Sequence, residues 1–141
     1  MEKYKHRVNY YETDKMGVTH HSNYMRWMEE ARIDLLAQHG FPYDKLEEDG
    51  IVSPVIGIEC EYKESTTFND IISIETKVKE FKGVRLVIEY TMVNEKTNNV
   101  VLKGVSKHCF LDKENKPIRL NKVFPELDSK LKELAKQYDA E

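Results

Sequence analysis

The sequence is short of cysteine and of long apolar runs. Its 141 residues include two cysteines, Cys60 and Cys109, which lie far apart and form no CxxC pair. They leave one buried disulfide open, but we expect two reduced thiols in the core of a cytoplasmic protein. No apolar run approaches the roughly 20 residues of a membrane-spanning helix. The N-terminal stretch MEKYKHRVNYY has no apolar segment, so we expect no signal peptide.

An excess of basic residues is also missing. The 22 Lys and Arg against 25 Asp and Glu give a formal net charge of −3. A protein whose main partner is nucleic acid needs a basic surface to neutralise phosphates, so we expect no nucleic-acid partner. The missing apolar run leads us to expect no membrane partner either. No repeat, low-complexity tract or Pro/Gly/Ser-rich linker divides the chain. Residues 1–141 are therefore expected to form one globular domain.

Hydrophobic spacing predicts one long helix in the first third of the chain. Apolar residues recur three and four positions apart, at Tyr24, Trp27, Met28, Ala31 and Leu35. Ser22 or Asn23 is a suitable N-cap, and Gly40 is a stop signal. We therefore predict a helix over 22–39, followed by a short helical piece at 43–50.

The period of the apolar residues changes to two after residue 50, which predicts strands. A first strand is also predicted at 4–12, where YKHRVNYYE is rich in aromatic residues. The later alternating runs lie at 56–62, 72–78, 84–93 and 100–111. Their short connections require antiparallel pairing, because a parallel crossover needs a dozen or more residues. A final helix is predicted after Pro125, from the apolar stripe at Leu127, Leu131, Leu134 and Tyr138.

The order of these elements, β-α-β-β-β-β-α, predicts an α+β fold. A single long helix with one apolar stripe must bury that stripe, and the apolar face of the one antiparallel sheet is the surface available. We therefore expect one sheet curled around a long central helix, with an additional C-terminal helix. A ferredoxin-like fold fits less well, because it needs a second helix between strands and none is predicted after residue 50 among the strands.

The segment from 10 to 32, YYETDKMGVTHHSNYMRWMEEAR, resembles the N-terminal motif of hotdog-fold acyl-CoA thioesterases. The similarity is to the 4-hydroxybenzoyl-CoA thioesterase branch, and the predicted elements extend it over essentially the whole chain. The residues in register are Asp14, Gly17, Val18, His21, Asn23 and Tyr24. The departures are Glu12, where many members carry Asp, and Lys15 and Met16, where a small residue or Pro is common. These departures leave the acyl group open.

The resemblance implies hydrolysis of acyl-CoA thioesters to free acid and coenzyme A. It assigns Asp14 as the catalytic carboxylate, either a general base or a nucleophile. It also implies that the backbone N–H near His21, at the start of the long helix, polarises the thioester carbonyl. The His21 side chain either orients the substrate or contributes nothing beyond its backbone. Gly17 would allow the turn to approach the ligand closely.

Further contacts with the substrate are implied at three polar positions. Asn23 and Tyr24 would face the acyl group, although packing is the alternative role for each. Ser65, in the turn STTFND, would border the active site of a partner subunit, although ordinary turn chemistry accounts for its hydroxyl. Three cations are candidates for the coenzyme A phosphates, with solvated surface charges as the alternative reading: Lys63, Lys82 and Arg85.

Motifs for other chemistries are missing. The sequence has no GxSxG elbow, no HExxH and no Gly-rich phosphate loop. The adjacent pair His20-His21 is a poor metal site because neighbouring side chains point apart, so we expect no metal and no cofactor beyond coenzyme A as part of the substrate. Two alternatives remain on the same fold: a hydratase or dehydratase of acyl thioesters, and a non-catalytic acyl-CoA-binding module.

The predicted sheet would leave strand edges exposed, and natural proteins cover such edges. The resemblance implies a homodimer in which two sheets continue edge to edge, or a homotetramer of such dimers. The active site would then lie at the dimer interface.

Overall fold

The computed structural model describes residues 2–141, and all its elements belong to one sheet with flanking helices. A single 3-10 turn at Tyr10–Glu12 precedes the first helix. The helices are α1 (Ser22–Gln38), α2 (Tyr43–Glu48), α3 (Leu120–Val123) and α4 (Pro125–Asp139). The strands are β1 (Tyr4–Arg7), β2 (Val55–Tyr62), β3 (Ile71–Phe81), β4 (Leu86–Asn94) and β5 (Asn99–His108).

The five strands form one sheet in the order β1-β3-β4-β5-β2, and every neighbouring pair is antiparallel. The predicted α+β class and the antiparallel pairing are therefore confirmed. The predicted ends of the strands are less accurate. Val84 is exposed and lies before β4, and β5 ends at His108 rather than at residue 111.

The first predicted strand, 4–12, is wrong in its second half. Only Tyr4–Arg7 pairs with β3, and Tyr10–Glu12 forms a 3-10 turn instead. The cause is local, because the Glu12 carboxylate accepts hydrogen bonds from the backbone N–H and the side-chain amide of Asn9, at 2.7 and 3.3 Å. These bonds hold Tyr10–Glu12 in the 3-10 turn and keep it out of the sheet.

The predicted long helix is confirmed to within one residue at its end. Phe41 N–H bonds back to Leu36 O at 2.9 Å, and Gly40, with φ +90°, provides the left-handed residue that ends the helix. The predicted N-cap is wrong: the cap residue is His21, and its side chain makes no capping hydrogen bond.

The buried stripe of α1 packs on the inward face of the sheet. Trp27, Met28 and Ala31 belong to one core cluster with the inward residues of β3, β4 and β5. The Met28 side chain of α1 packs against Gly104 of β5, where an added Cβ would lie 3.0 Å from Met28 Cε. A glycine here therefore gives the helix room beside the sheet.

The inward face of β2 is more exposed than its alternation predicts. Ile56 is 50% exposed and Tyr62 is 51% exposed, because β2 is an edge strand and only β5 pairs with it. At the other edge, β1 pairs only with Ile71–Ile74, and α4 packs against β3. The predicted C-terminal helix is confirmed, with Pro125 in its first turn.

Candidate active site

A tight turn before α1 displays the carboxylate of Asp14. The Asp14 N–H donates to Val18 O at 2.9 Å, and the Gly17 N–H donates to Asp14 O at 3.0 Å. Gly17 has φ +81°, a conformation that favours glycine. One carboxylate oxygen of Asp14, Oδ1, accepts the N–H of Met16 at 2.8 Å, which orients the side chain. Asp14 is exposed, so its second oxygen is open to a ligand.

The loop after β2 supports this turn from the same chain. Thr19 N–H donates to Thr66 O at 2.8 Å, and the hydroxyls of these two threonines lie 2.6 Å apart. The Thr67 hydroxyl donates to Gly17 O at 2.8 Å. Ser65 is the exposed residue next to this contact. The loop that carries Ser65 therefore borders the turn of its own chain, and the implied contact with a partner's site stays a prediction.

Of the four backbone N–H groups at residues 21–24, where α1 begins, one has no acceptor among residues 2–141. The Asn23 and Tyr24 N–H groups bond back to His20 O and His21 O, at 3.0 and 3.2 Å. The Ser22 N–H donates to the imidazole Nδ1 of His20 at 3.2 Å. Among these four N–H groups, that of His21 is the one that donates to no acceptor in residues 2–141. The His20 and His21 rings stack with centroids 4.3 Å apart, so the expectation that these neighbouring side chains point apart is wrong. Both residues are exposed.

The structure gives Asn23 and Tyr24 packing roles. The buried amide of Asn23 donates to two backbone carbonyls, Glu12 O at 3.0 Å and His20 O at 3.2 Å. The buried hydroxyl of Tyr24 lies 3.0 Å from the Thr66 hydroxyl. Both residues therefore fix the loops around the turn, and their contact with an acyl group stays a prediction.

Glu12 is the residue that sequence reasoning missed. Its side chain is buried, 5% exposed, and one of its oxygens accepts the indole N–H of Trp27 at 2.7 Å. The other oxygen accepts the N–H of Asn9 and bonds to His6 Nε2 at 2.8 Å. Burial acts to raise the pKa of Glu12, but these hydrogen bonds outweigh burial and lower the pKa. The local signal was the Asn-x-x-Glu spacing of a capping box.

The candidate phosphate-binding cations lie on the surface. The Lys63 ammonium is 2.5 Å from the Glu61 carboxylate, and the Lys82 ammonium is 3.7 Å from that of Glu80. Arg85 is exposed in the turn before β4. Two of the three cations are therefore paired locally, and their role in binding coenzyme A stays a prediction.

Neither a metal-binding cluster nor a membrane-spanning helix is found in the part of the chain that the structure describes, residues 2–141. It contains no group of three or more His, Cys, Asp or Glu residues arranged to hold a metal ion. None of its helices combines the length and the apolar character that crossing a membrane requires. Cys60 and Cys109 are both free thiols, and burial raises the pKa of Cys60.

Comparison with known proteins shows the family to which this chain belongs. The sequence profile of the thioesterase-like superfamily matches residues 8–134. The chain belongs to the thioesterase-like superfamily. YneP of Bacillus subtilis, assigned as an acyl-CoA thioesterase, is 36% identical over 120 residues, which are 84% of this chain and 86% of that protein.

Solved structures of thioesterases share the fold. The DHNA-CoA thioesterase of Staphylococcus aureus superposes with a TM-score of 0.90 at 34% identity, over 96% of this chain and 93% of that chain. The gentisyl-coenzyme A thioesterase BH1999 superposes with a TM-score of 0.80 at 25% identity, over 88% and 99%. The predicted hotdog fold is therefore confirmed, as is the expectation of an enzyme of the thioesterase class.

Proposed function

We propose that this thioesterase hydrolyses acyl-CoA, with Asp14 as the catalytic carboxylate and the His21 N–H as a donor to the thioester oxygen. Water supplies the oxygen that joins the acyl carbon, the carbon–sulfur bond breaks, and coenzyme A leaves as a thiol. The observation that supports this is the turn itself. It presents an exposed carboxylate and, at the start of a helix, a backbone N–H that has no acceptor among the described residues. The chain also belongs to the thioesterase-like superfamily.

The His21 N–H is suited to stabilise charge that develops on the carbonyl oxygen. A helix N-terminus carries a partial positive charge, and a backbone donor needs no reorganisation during the reaction. Loss of one such donor typically raises the barrier by about 3 kcal/mol. The Ser22 N–H does not compete for the oxygen, because the imidazole of His20 already accepts it.

Asp14 has two chemical roles open to it. As a general base, it takes a proton from the attacking water. As a nucleophile, it forms a mixed anhydride with the acyl group, which water then hydrolyses. Acid quenching during turnover, followed by mass spectrometry of the intact protein, separates the two roles. A mass increase equal to the acyl group, present in the wild-type protein and absent from D14N, indicates the nucleophile.

The acyl group is best sought first among aryl thioesters. Two structural relatives carry the names DHNA-CoA thioesterase and gentisyl-coenzyme A thioesterase. The curated relative YneP has a name that specifies acyl-CoA alone. A substrate panel should therefore run from acetyl-CoA to long-chain acyl-CoA and include aryl-CoA thioesters.

A second copy of the chain is the proposed partner. The edge strand β2 exposes four large apolar side chains: Val55, Ile56, Ile58 and Tyr62. Among the described residues, no strand pairs with the backbone N–H and C=O groups along its outer edge. A dimer that continues the sheet across β2 would cover both features. Light scattering is expected to give a dimer or tetramer, and a fully active monomer would contradict this proposal. A cytoplasmic location stays a prediction.

The activity is tested by release of free thiol from the substrate panel, followed with a thiol reagent. The wild-type protein, D14N and the surface control D44N are compared, since Asp44 is an exposed aspartate on α2. Thiol release that D14N loses and D44N retains supports the proposal. Hydration of an enoyl-CoA without thiol release indicates the hydratase alternative. Acyl-CoA binding without turnover indicates the binding module.

A further inference from the structure

The carboxylate of Glu12 connects three elements that surround the candidate active site. One oxygen accepts the N–H of Asn9, which precedes the 3-10 turn, and bonds to His6 on β1. The other oxygen accepts the indole N–H of Trp27 on α1 at 2.7 Å. A buried carboxylate without partners would be strongly destabilising, so this full set of donors keeps the group in place.

The backbone of Glu12 makes a second connection to the same helix. Its carbonyl oxygen accepts the His20 N–H at 2.9 Å and the Asn23 amide at 3.0 Å. Glu12 is thus bonded to the start of α1 through its carbonyl and to the next turn of α1 through its carboxylate. Asp14 follows Glu12 by two residues, and His21 follows His20 by one.

We infer that Glu12 is a positioning residue for hydrolysis, which holds Asp14 at a fixed distance from the His21 N–H. This inference rests on the proposed function. Glu12 does not contact the substrate, because its side chain is buried and both oxygens are occupied by protein donors. Glu12 acts by holding the turn of Asp14 against the start of α1. This position matters because misplacement of reacting groups by about 1 Å can lower a rate by about 100-fold.

An amide cannot replace this carboxylate, although its shape is nearly the same. A carboxylate has two acceptor oxygens, whereas a glutamine amide has one acceptor and one donor. In E12Q, the oxygen would stay with Asn9 and His6, which supply the larger number of donors. The new NH₂ group would then face the indole N–H of Trp27, and two donors would oppose each other. W27F removes that indole N–H.

The test measures kcat and KM for E12Q, W27F and the double variant E12Q/W27F on the best substrate of the panel. We expect E12Q to lower kcat by about 10- to 100-fold and to change KM by no more than about twofold. The double variant is expected to recover part of the lost kcat, because the opposed donor is gone. The acid limb of the kcat–pH profile should keep its midpoint, whereas it would shift if Glu12 acted through its charge.

The matched control is E30Q. Glu30 lies on the other side of the His6 ring, with its carboxylate 3.4 Å from Nδ1, but its side chain is 44% exposed. The same change of carboxylate to amide is expected to leave kcat at its wild-type value there. Circular dichroism and light scattering establish that each variant keeps its fold and assembly.

Several outcomes would overturn the inference. E12Q with wild-type kcat contradicts it, as does a double variant that loses as much activity as the two single losses combined. If E12Q does not fold, the kinetics of W27F alone test the inference. A lowered kcat at unchanged KM supports it, and an unchanged kcat overturns it.

D14N separates the two proposals. Full activity of D14N refutes the proposed function, whereas inactive D14N with fully active E12Q refutes only the role of Glu12.

Discussion

The hydroxyl of Ser106 and the imidazole Nε2 of His108 lie 2.7 Å apart in the core, and His108 is 1% exposed. The Tyr90 hydroxyl extends this contact, at 2.6 Å from Ser106 Oγ. Burial, together with the nearby Arg32 cation, lowers the pKa of His108 from 6.5 to about 3. The imidazole is therefore neutral in the folded protein.

This buried imidazole predicts a loss of stability in acid. Between pH 6.5 and about 3, the unfolded chain binds a proton at His108 and the folded protein does not. The free energy of unfolding should therefore fall as the pH drops through this range, with a slope of up to about 1.4 kcal/mol per pH unit from this group. H108Q should reduce the slope in urea titrations at several pH values. An unchanged slope would contradict the assignment of a neutral His108.

Gly17 and Gly40 form a matched pair for testing the turn. Both have positive φ, +81° and +90°, and an added Cβ would meet no atom within 4 Å at either position. G17A and G40A should each lower the free energy of unfolding by about 1–2 kcal/mol, since only the backbone conformation is strained.

The two variants should differ in activity. G17A is expected to lower kcat because it distorts the turn that carries Asp14, whereas G40A lies at the far end of α1 and should keep wild-type kcat. Steady-state kinetics beside denaturant unfolding distinguishes the effects. Equal kcat in both variants would show that the conformation of Gly17 is not needed for catalysis.

Arg32 is a buried cation without an anionic partner among the described residues. It is 3% exposed, no carboxylate among residues 2–141 lies within 4.0 Å of its guanidinium, and Nη1 makes no hydrogen bond. Its guanidinium lies 5.5 Å from the centre of the Tyr43 ring. R32M should raise the free energy of unfolding by about 1 kcal/mol or more, because an unpaired buried charge is costly.

The control for this prediction is on the same helix. Arg26 is exposed, so R26M should change the free energy of unfolding by less than about 0.5 kcal/mol. Denaturant unfolding of both variants at one pH makes the comparison. Destabilisation by R32M would mean that the contact with Tyr43 outweighs the cost of burying the charge.

The sequence predicts best where burial follows a regular period. The stripe through Trp27 and Ala31 predicted α1 to within one residue, and the alternation of β3 and β4 predicted which side chains are buried. The same alternation predicted too much burial for β2, because β2 lies at an edge of the sheet. The order of the strands is not a local property of the sequence. Glu12 was missed for a similar reason: its donor Trp27 lies 15 residues further on.

The candidate site was predictable in its residues but not in its supports. Asp14, Gly17 and His21 came from one contiguous motif, and the structure brings them together in the turn before α1. Two threonines hold that turn from far away in the sequence. Thr66 lies 47 residues from its partner Thr19, and Thr67 lies 50 residues from its partner Gly17. No periodicity marks such contacts, because they are made by single residues in loops.

The central claim is that the Asp14 carboxylate and the His21 N–H flank the same thioester carbon. A crystal structure of D14N with an unhydrolysed acyl-CoA substrate tests it most directly. We predict that the thioester oxygen lies about 2.7–3.1 Å from the His21 nitrogen, with the side chain of residue 14 on the opposite face of the carbonyl. A thioester bound away from this turn, or one whose oxygen accepts from another donor, would contradict the account.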